Sequence, residues 1–332
     1  MSVSDDRPTW LPAADVLAHS VAVIETWRSM CADHHFVEHH RLPLVSHHDP
    51  SVRFTNSTIC VLKPLLTSRV TTRHFLIQPA MRLRNMWHFR RTGEMSPFGC
   101  SFMAFGLLAP ADRLDDVCRL GARFVRSLPL TEQSHVEYRA WCGDSDIVGA
   151  ASDSGLPLVV DTTAARPYRH VFGMDGVAGR NTNLHVGAPA VANVIVIERD
   201  AVPVAVELAF GINMILVGAG LVGHPVLATP AAAAGRQHGI EELIALDALH
   251  TATMLAMEGM VPGARGRRAN YRDLLTILCK HAGDRPIAEA AAAASQMEAA
   301  LRVHASPPCP SLPELSPAET THRLCGHLDA LL

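Results

Sequence analysis

Glu207 stands between two apolar runs in VAVELAFGINM, a setting that suits a site carboxylate better than a solvated strand residue, because a buried acid needs a compensating partner. Arg265, Arg267, Arg268 and Arg272 crowd into ARGRRANYRD. They form a basic cluster suited to phosphate, although charge clusters that open a helix are usually just solvated. The pairs His34-His35, His39-His40 and His47-His48 invite a metal reading. No cysteine or carboxylate spacing of a recognised type accompanies them, so they read as loop and surface side chains and no structural metal is expected. Cys31, Cys60, Cys100, Cys118, Cys142, Cys279, Cys309 and Cys325 are scattered without a CxxC pair, which points to reduced thiols.

At 332 residues the chain exceeds what one small core serves, and a large domain followed by a smaller one is the expectation. A formal net charge of -3 argues against a protein that coats nucleic acid and leaves room only for a local basic patch. The opening MSVSDDRPTW lacks the basic region and apolar run of a signal peptide. The best membrane candidate, residues 202–227, carries Glu207 and Asn213 and is punctuated by glycines. A soluble, cytoplasmic protein is therefore expected, with no membrane partner.

The elements that would position these residues follow from periodicity. Residues 12–30 predict an amphipathic helix through Leu17, Val21, Ile24 and Trp27, and residues 113–127 another through Leu114, Val117, Leu120 and Phe124. From residue 41 to 105 short apolar runs alternate with polar punctuation, as in strands of an antiparallel sheet. Further strands are expected over 156–160, 191–197 and 202–208, the last feeding a helix over 210–217. Helices follow over 240–260, 271–281 and the alanine-rich 286–303. SPPCPSLPELSP has too many prolines for a regular element and reads as a tail.

Three blocks, LVSHHDPSVRFTNSTICVLKPLL, TTRHFLIQPAMR and SPFGCSFMAFG, occur in the order and approximate spacing of the first two signature motifs of a class II synthetase, and together resemble the adenylate-forming half of alanyl-tRNA synthetases. The resemblance resumes in LHTATMLAMEGMVPGARGRRANYRDLL, where His250, Glu258, Gly259, Pro262, Gly266, Arg267 and Arg272 keep the family pattern in type or charge. It implies an α+β fold, a class II antiparallel sheet flanked by helices over residues 1–230. A small helical domain over 231–305, like the start of the acceptor-stem-binding region, and a Pro-rich tail over 306–332 would follow.

By the same resemblance Arg82 falls on the second-motif arginine that stabilises charge at the phosphate or carbonyl, and Gln78 on the glutamine before it. Phe102 matches an aromatic near the adenine ring, Glu207 the carboxylate that holds the substrate amine, and Gly211 a third-motif glycine. Asn181 and Asn183 would line the pocket. Two positions depart from the family: Asn213 stands near the place of the arginine that grips the γ-phosphate, and Asn183 where a glutamate helps hold magnesium. The expectation is a freestanding alanyl-tRNA-synthetase-like protein that binds a small amino acid and activates or transfers its carboxyl group, to a tRNA acceptor end, a carrier protein or a small amine. ATP and Mg2+ are its possible cofactors, placed in question by Asn213 and Asn183. The alternative is a non-catalytic paralogue that senses an amino acid or binds a partner. Oligomeric state has no signal in the chain.

Overall fold

The computed structural model describes residues 11–45, 49, 51–234, 239–283 and 286–331, so His47 and His48 lie outside the described residues. Helix α1 (Ala13–Asp33) leads into a short β1 (Val37–Glu38), a one-turn α2 (Ile59–Leu62) and β2 (His74–Met81). Then come α3 (Arg84–Thr92), β3 (Ser101–Ala109), α4 (Leu114–Ser127), β4 (Val136–Trp141), α5 (Ser145–Ser152), β5 (Leu158–Asp161) and β6 (Arg169–Val171). A meander of β7 (Val177–Val186), β8 (Ala190–Arg199) and β9 (Val202–Gly211) runs into α6 (Ile212–Gly218), and α7 (Ile240–Met257), α8 (Gly266–His281), α9 (Ile287–Arg302) and α10 (Pro317–Asp329) complete the chain.

The strands make one sheet in the order β1-β2-β3-β9-β8-β7-β4-β5, with β6 added alongside β7. β1 runs parallel to β2 and β4 to β5, and the remaining described pairings are antiparallel. The period-two alternation of β9 sorts its side chains: Val206, Leu208 and Phe210 join the large core, while Glu207, Ala209 and Gly211 face the other side. On the core side α1 and α4 close over the sheet. Trp27 lies 5.2 Å from Phe105, 5.0 Å from Phe124 and 5.5 Å from Phe210, and Phe105 stacks on Phe210 at 5.0 Å.

The helices after residue 239 do not form a core of their own. α7 is apolar-rich and buried from Glu242 to Met257, as a helix surrounded by other elements is, and it packs on α8, α9, α10 and β3. Leu249, Leu275 and Leu324 belong to the same apolar cluster as Ile77 and Phe105. One apolar cluster thus holds residues from both sides of position 230.

Three segments differ from their sequence-based expectation. Among the described residues between β1 and β2 there is no strand, only α2 and a 3-10 turn, and Arg84–Thr92 is helical and stops at Gly93, whose φ of 74° only a glycine adopts without cost. The Pro-rich segment ends at residue 316, where Ser316 and Glu319 form a capping box with Pro317 in the first turn, and α10 buries Leu324 and Leu328. Among the described residues no helix is long and apolar enough to cross a membrane.

Candidate functional site

The sheet face opposite α1 and α4 is only partly covered. Residues 59–70 pack over Leu108, Ile195, Ile197 and Ala205 at one side. Beside them a cavity of about 1040 Å³ opens onto the sheet. Its floor is stripped of bulk by neighbouring small residues, Ala104 paired with Gly211 and Gly106 paired with Ala209. A Cβ on Gly106 would come within 2.7 Å of both the Leu208 carbonyl and Thr58 Oγ1, so this glycine is what lets the α2 approach close down on the strand.

Glu207 lies on that floor between Leu108 and Ile195 of the flanking strands, 2% exposed, and is the only acidic side chain among the described residues lining the cavity. Burial raises its carboxyl from the ordinary 4.5 to about 8, with Arg82 pulling the other way. Thr58 adds a smaller lowering effect, yet its Oγ1 is buried and makes no hydrogen bond of normal geometry. Arg82 leaves the end of β2, donates from Nε to the Asn56 carbonyl at 3.1 Å, and lies with its guanidinium carbon 5.0 Å from the ring centre of Phe102. Gly211 gives Phe102 its place, since a Cβ there would stand 3.3 Å from the ring. Glu207, Arg82, Phe102 and Gly211 therefore meet in one cavity.

The other site residues named from the sequence are placed differently. Gln78 is fully buried away from the cavity, where Oε1 accepts from the Leu42 amide at 2.9 Å and Nε2 donates to the carbonyls of Leu42 at 2.8 Å and Pro79 at 2.9 Å. It ties the chain before residue 45 to the sheet and leaves no polar atom for a substrate. Gln78→Ala should cost roughly 2–4 kcal/mol of stability, because two backbone groups of Leu42 lose their partner, while the cavity keeps its lining. Urea unfolding and ligand titration of one preparation check this; lost binding at unchanged stability would return Gln78 to the site.

Asn213 reaches the cavity wall, but its Nδ2 donates to the Pro225 carbonyl at 2.9 Å and holds the loop after α6. Asn181 and Asn183 lie behind the wall. Asn183 Oδ1 accepts from Asn181 Nδ2 at 2.6 Å and from Asn193 Nδ2 at 2.8 Å, and of these three amides it is Asn193 that lines the cavity. Sequence reasoning passed over Asn193, although a polar residue inside the apolar AVANVIVIE was a readable signal. It also passed over Thr58 and His170, for which no local pattern stands out.

The basic cluster opens α8. Arg265, Arg268 and Arg272 are exposed, Arg268 donates to the Pro262 carbonyl at 3.1 Å, and Arg267 Nε donates to the carbonyl of Arg53, which lines the cavity. Arg53 also donates to Asn270 Oδ1 at 3.1 Å and lies 5.6 Å from the Trp87 ring. Two further basic groups of the wall are paired with acids, Lys63 with Asp49 at 2.6 Å and Arg169 with Asp144 at 2.7 Å. His250 and Glu258, which keep the family pattern, are structural. His250 bridges Ser101 Oγ at 2.7 Å and Glu298 Oε2 at 3.1 Å, and Glu258 Oε2 accepts from the Leu44 amide at 2.7 Å.

No protein-family model matches this chain, and no curated protein matches it. Among solved structures it is similar to the Entamoeba histolytica asparaginyl-tRNA synthetase, with 12% identity, a TM-score of 0.39 and coverage of 65% of this chain and 66% of that one. The same enzyme in complex with asparaginyl-adenylate gives 10% identity, a TM-score of 0.40 and the same coverage. A likeness this distant carries no functional argument.

Proposed function

We propose that the cavity binds a small α-amino acid, its ammonium on Glu207 and its carboxyl toward Arg82, and that the protein activates or transfers that carboxyl group. The observation that carries this reading is the buried Glu207 beside Arg82 on the floor of a cavity that holds no other acid among its described lining. A zwitterion offers an ammonium that favours the ionised form of Glu207 and a carboxylate for Arg82. The cavity sits at the upper end of the range of about 300–1,000 Å³ usual for ligand sites, so it has space for a second reactant beside a small amino acid. The arginines opening α8, joined to the cavity through Arg53, suit the phosphates of such a reactant, a tRNA acceptor end or a carrier-protein arm.

Magnesium-ATP fits these residues poorly. Asn183 Oδ1 accepts from two N–H donors, Asn213 donates its Nδ2 to Pro225 and carries no charge, and Glu207 is the single carboxylate among the described residues lining the cavity. Among the described residues no three His, Cys, Asp or Glu side chains converge as a metal site. Nucleotide-bound Mg2+ is usually held by one or two carboxylates together with the phosphates and water, and an amide stands at Asn183 where such a carboxylate would be expected. The reading therefore prefers a carboxyl group that arrives already activated, as an ester or thioester. Amino-acid-induced thermal shifts should be the same in EDTA and in Mg2+, and amino-acid-dependent pyrophosphate exchange should be absent. Exchange that requires Mg2+ would restore adenylation and assign the phosphates to other residues. The loss of both phosphate-side groups also favours a second reading, an amino-acid sensor without catalysis. Transfer from an alanyl thioester to hydroxylamine separates the two, because a sensor gives no hydroxamate above the uncatalysed rate.

A further inference from the structure

His170 is the one histidine in the described wall of the cavity, and amino-acid binding as proposed leaves it without a task. It sits on β6 opposite Gly179 of β7. A Cβ on Gly179 would stand 3.2 Å from the His170 Cβ and 3.0 Å from Phe172 Cε2, so the glycine gives both side chains their room. Because Asn181 spends Nδ2 on Asn183, its Oδ1 is left as an acceptor, fully buried and without a hydrogen bond of normal geometry. His170 is the titratable group on which Asn181 acts, and an imidazole N–H turned to that oxygen leaves the second ring nitrogen as a lone-pair acceptor. Burial and the neighbouring Arg82 both disfavour the imidazolium, so the ring is kept neutral. A histidine kept neutral in the wall of the cavity that Arg82 and Glu207 also line is a group that general-base catalysis can use.

We propose that His170 takes the proton from the attacking nucleophile when the carboxyl group is transferred. This rests on the functional reading above. With an aminoacyl thioester as donor and a thiol as acceptor, the new S–C bond forms as the old C–S bond breaks. The acceptor's proton passes to the open ring nitrogen and from there to the departing thiolate, and nothing is oxidised or reduced.

The test compares two acceptors on one donor, alanyl-N-acetylcysteamine thioester. Pantetheine must lose a thiol proton to attack, whereas hydroxylamine is a strong nucleophile in its neutral form. In His170→Gln and His170→Ala, alanyl transfer to pantetheine should fall about 10²–10⁴-fold, transfer to hydroxylamine less than about tenfold, and the alanine-induced thermal shift should not change. Added imidazole should restore part of the pantetheine rate in His170→Ala. Unchanged transfer to pantetheine, or equal losses with both acceptors, would overturn the proposal, the latter assigning His170 to donor binding. A wild type that shifts with alanine yet transfers to neither acceptor also overturns it. A wild type that neither shifts nor transfers sinks the functional reading beneath it.

Discussion

Glu207→Gln should lose its response to amino acids while becoming more stable than the wild type at alkaline pH. The affinity effect follows from removing a charge-assisted hydrogen bond in a buried site, worth about 1.5–3 kcal/mol, or roughly 10- to 150-fold. The stability effect follows from linkage. The folded carboxyl titrates near 8 and the unfolded one near its ordinary 4.5, so between those values the folded state keeps a proton that the unfolded state has released. Stability contributed by Glu207 is complete below about 4.5 and is lost as pH rises toward 8, by roughly 3–5 kcal/mol in all at about 1.4 kcal/mol per unit. Glutamine does not ionise and is spared that loss. Urea unfolding at pH 5, 7 and 9 should show the wild type weakening with pH relative to the variant, and parallel curves would refute the buried-acid account. Binding is linked in the same way. An ammonium ligand requires the ionised acid, so wild-type affinity should rise up to about tenfold per pH unit and level off near 8, with proton release visible in calorimetry across buffers. The variant should show neither.

Arg302→Met should be the most damaging single change to stability, about 3–5 kcal/mol. Arg302 is 4% exposed, and its Nε meets Glu298 Oε1 at 2.7 Å while Nη1 meets Glu314 Oε1 at 2.7 Å and lies 3.3 Å from Glu258 Oε1. Glu314 bonds on to Arg41 at 2.5 Å, so one guanidinium joins α9, the end of α7, the Pro-rich segment and the chain before β2. Burial pushes Glu298 up, but Arg302 and His250 outweigh it and hold its carboxyl at about 2, whereas Glu258 is pushed up to about 7 because burial wins there. Removing Arg302 strands Glu298 as a buried anion, the costly half of a broken pair. Adding Glu298→Gln to Arg302→Met should recover part of the loss. Unfolding midpoints of the single and double variants test this, and a single-variant loss below about 1 kcal/mol would mean that water reaches the network.

What the sequence determined by itself was local. The amphipathic stripes of α1 and α4, the apolar-rich content of α7 and the alternation of β8 and β9 place these elements within a few residues, because helix and strand periods are written in neighbouring side chains. Glu207 was legible for the same reason, as an acid inside an alternating apolar strand. β7 was not, since its GRNTN stretch puts polar residues on the inner face, where they bond to one another; nor was α10, whose cap follows a run of prolines. Tertiary structure alone decided the partnerships. Gln78 reads like a site residue until Leu42 folds back on it, and Asn181 and Asn183 become supports because Asn193 and His170 stand in front of them. Arg302, near the end of an alanine-rich helix, gains its importance from glutamates of two other segments. Periodicity reports which way a side chain faces, but only the return of distant chain decides what it meets there, and the charge and proton chemistry of this cavity arise from those meetings.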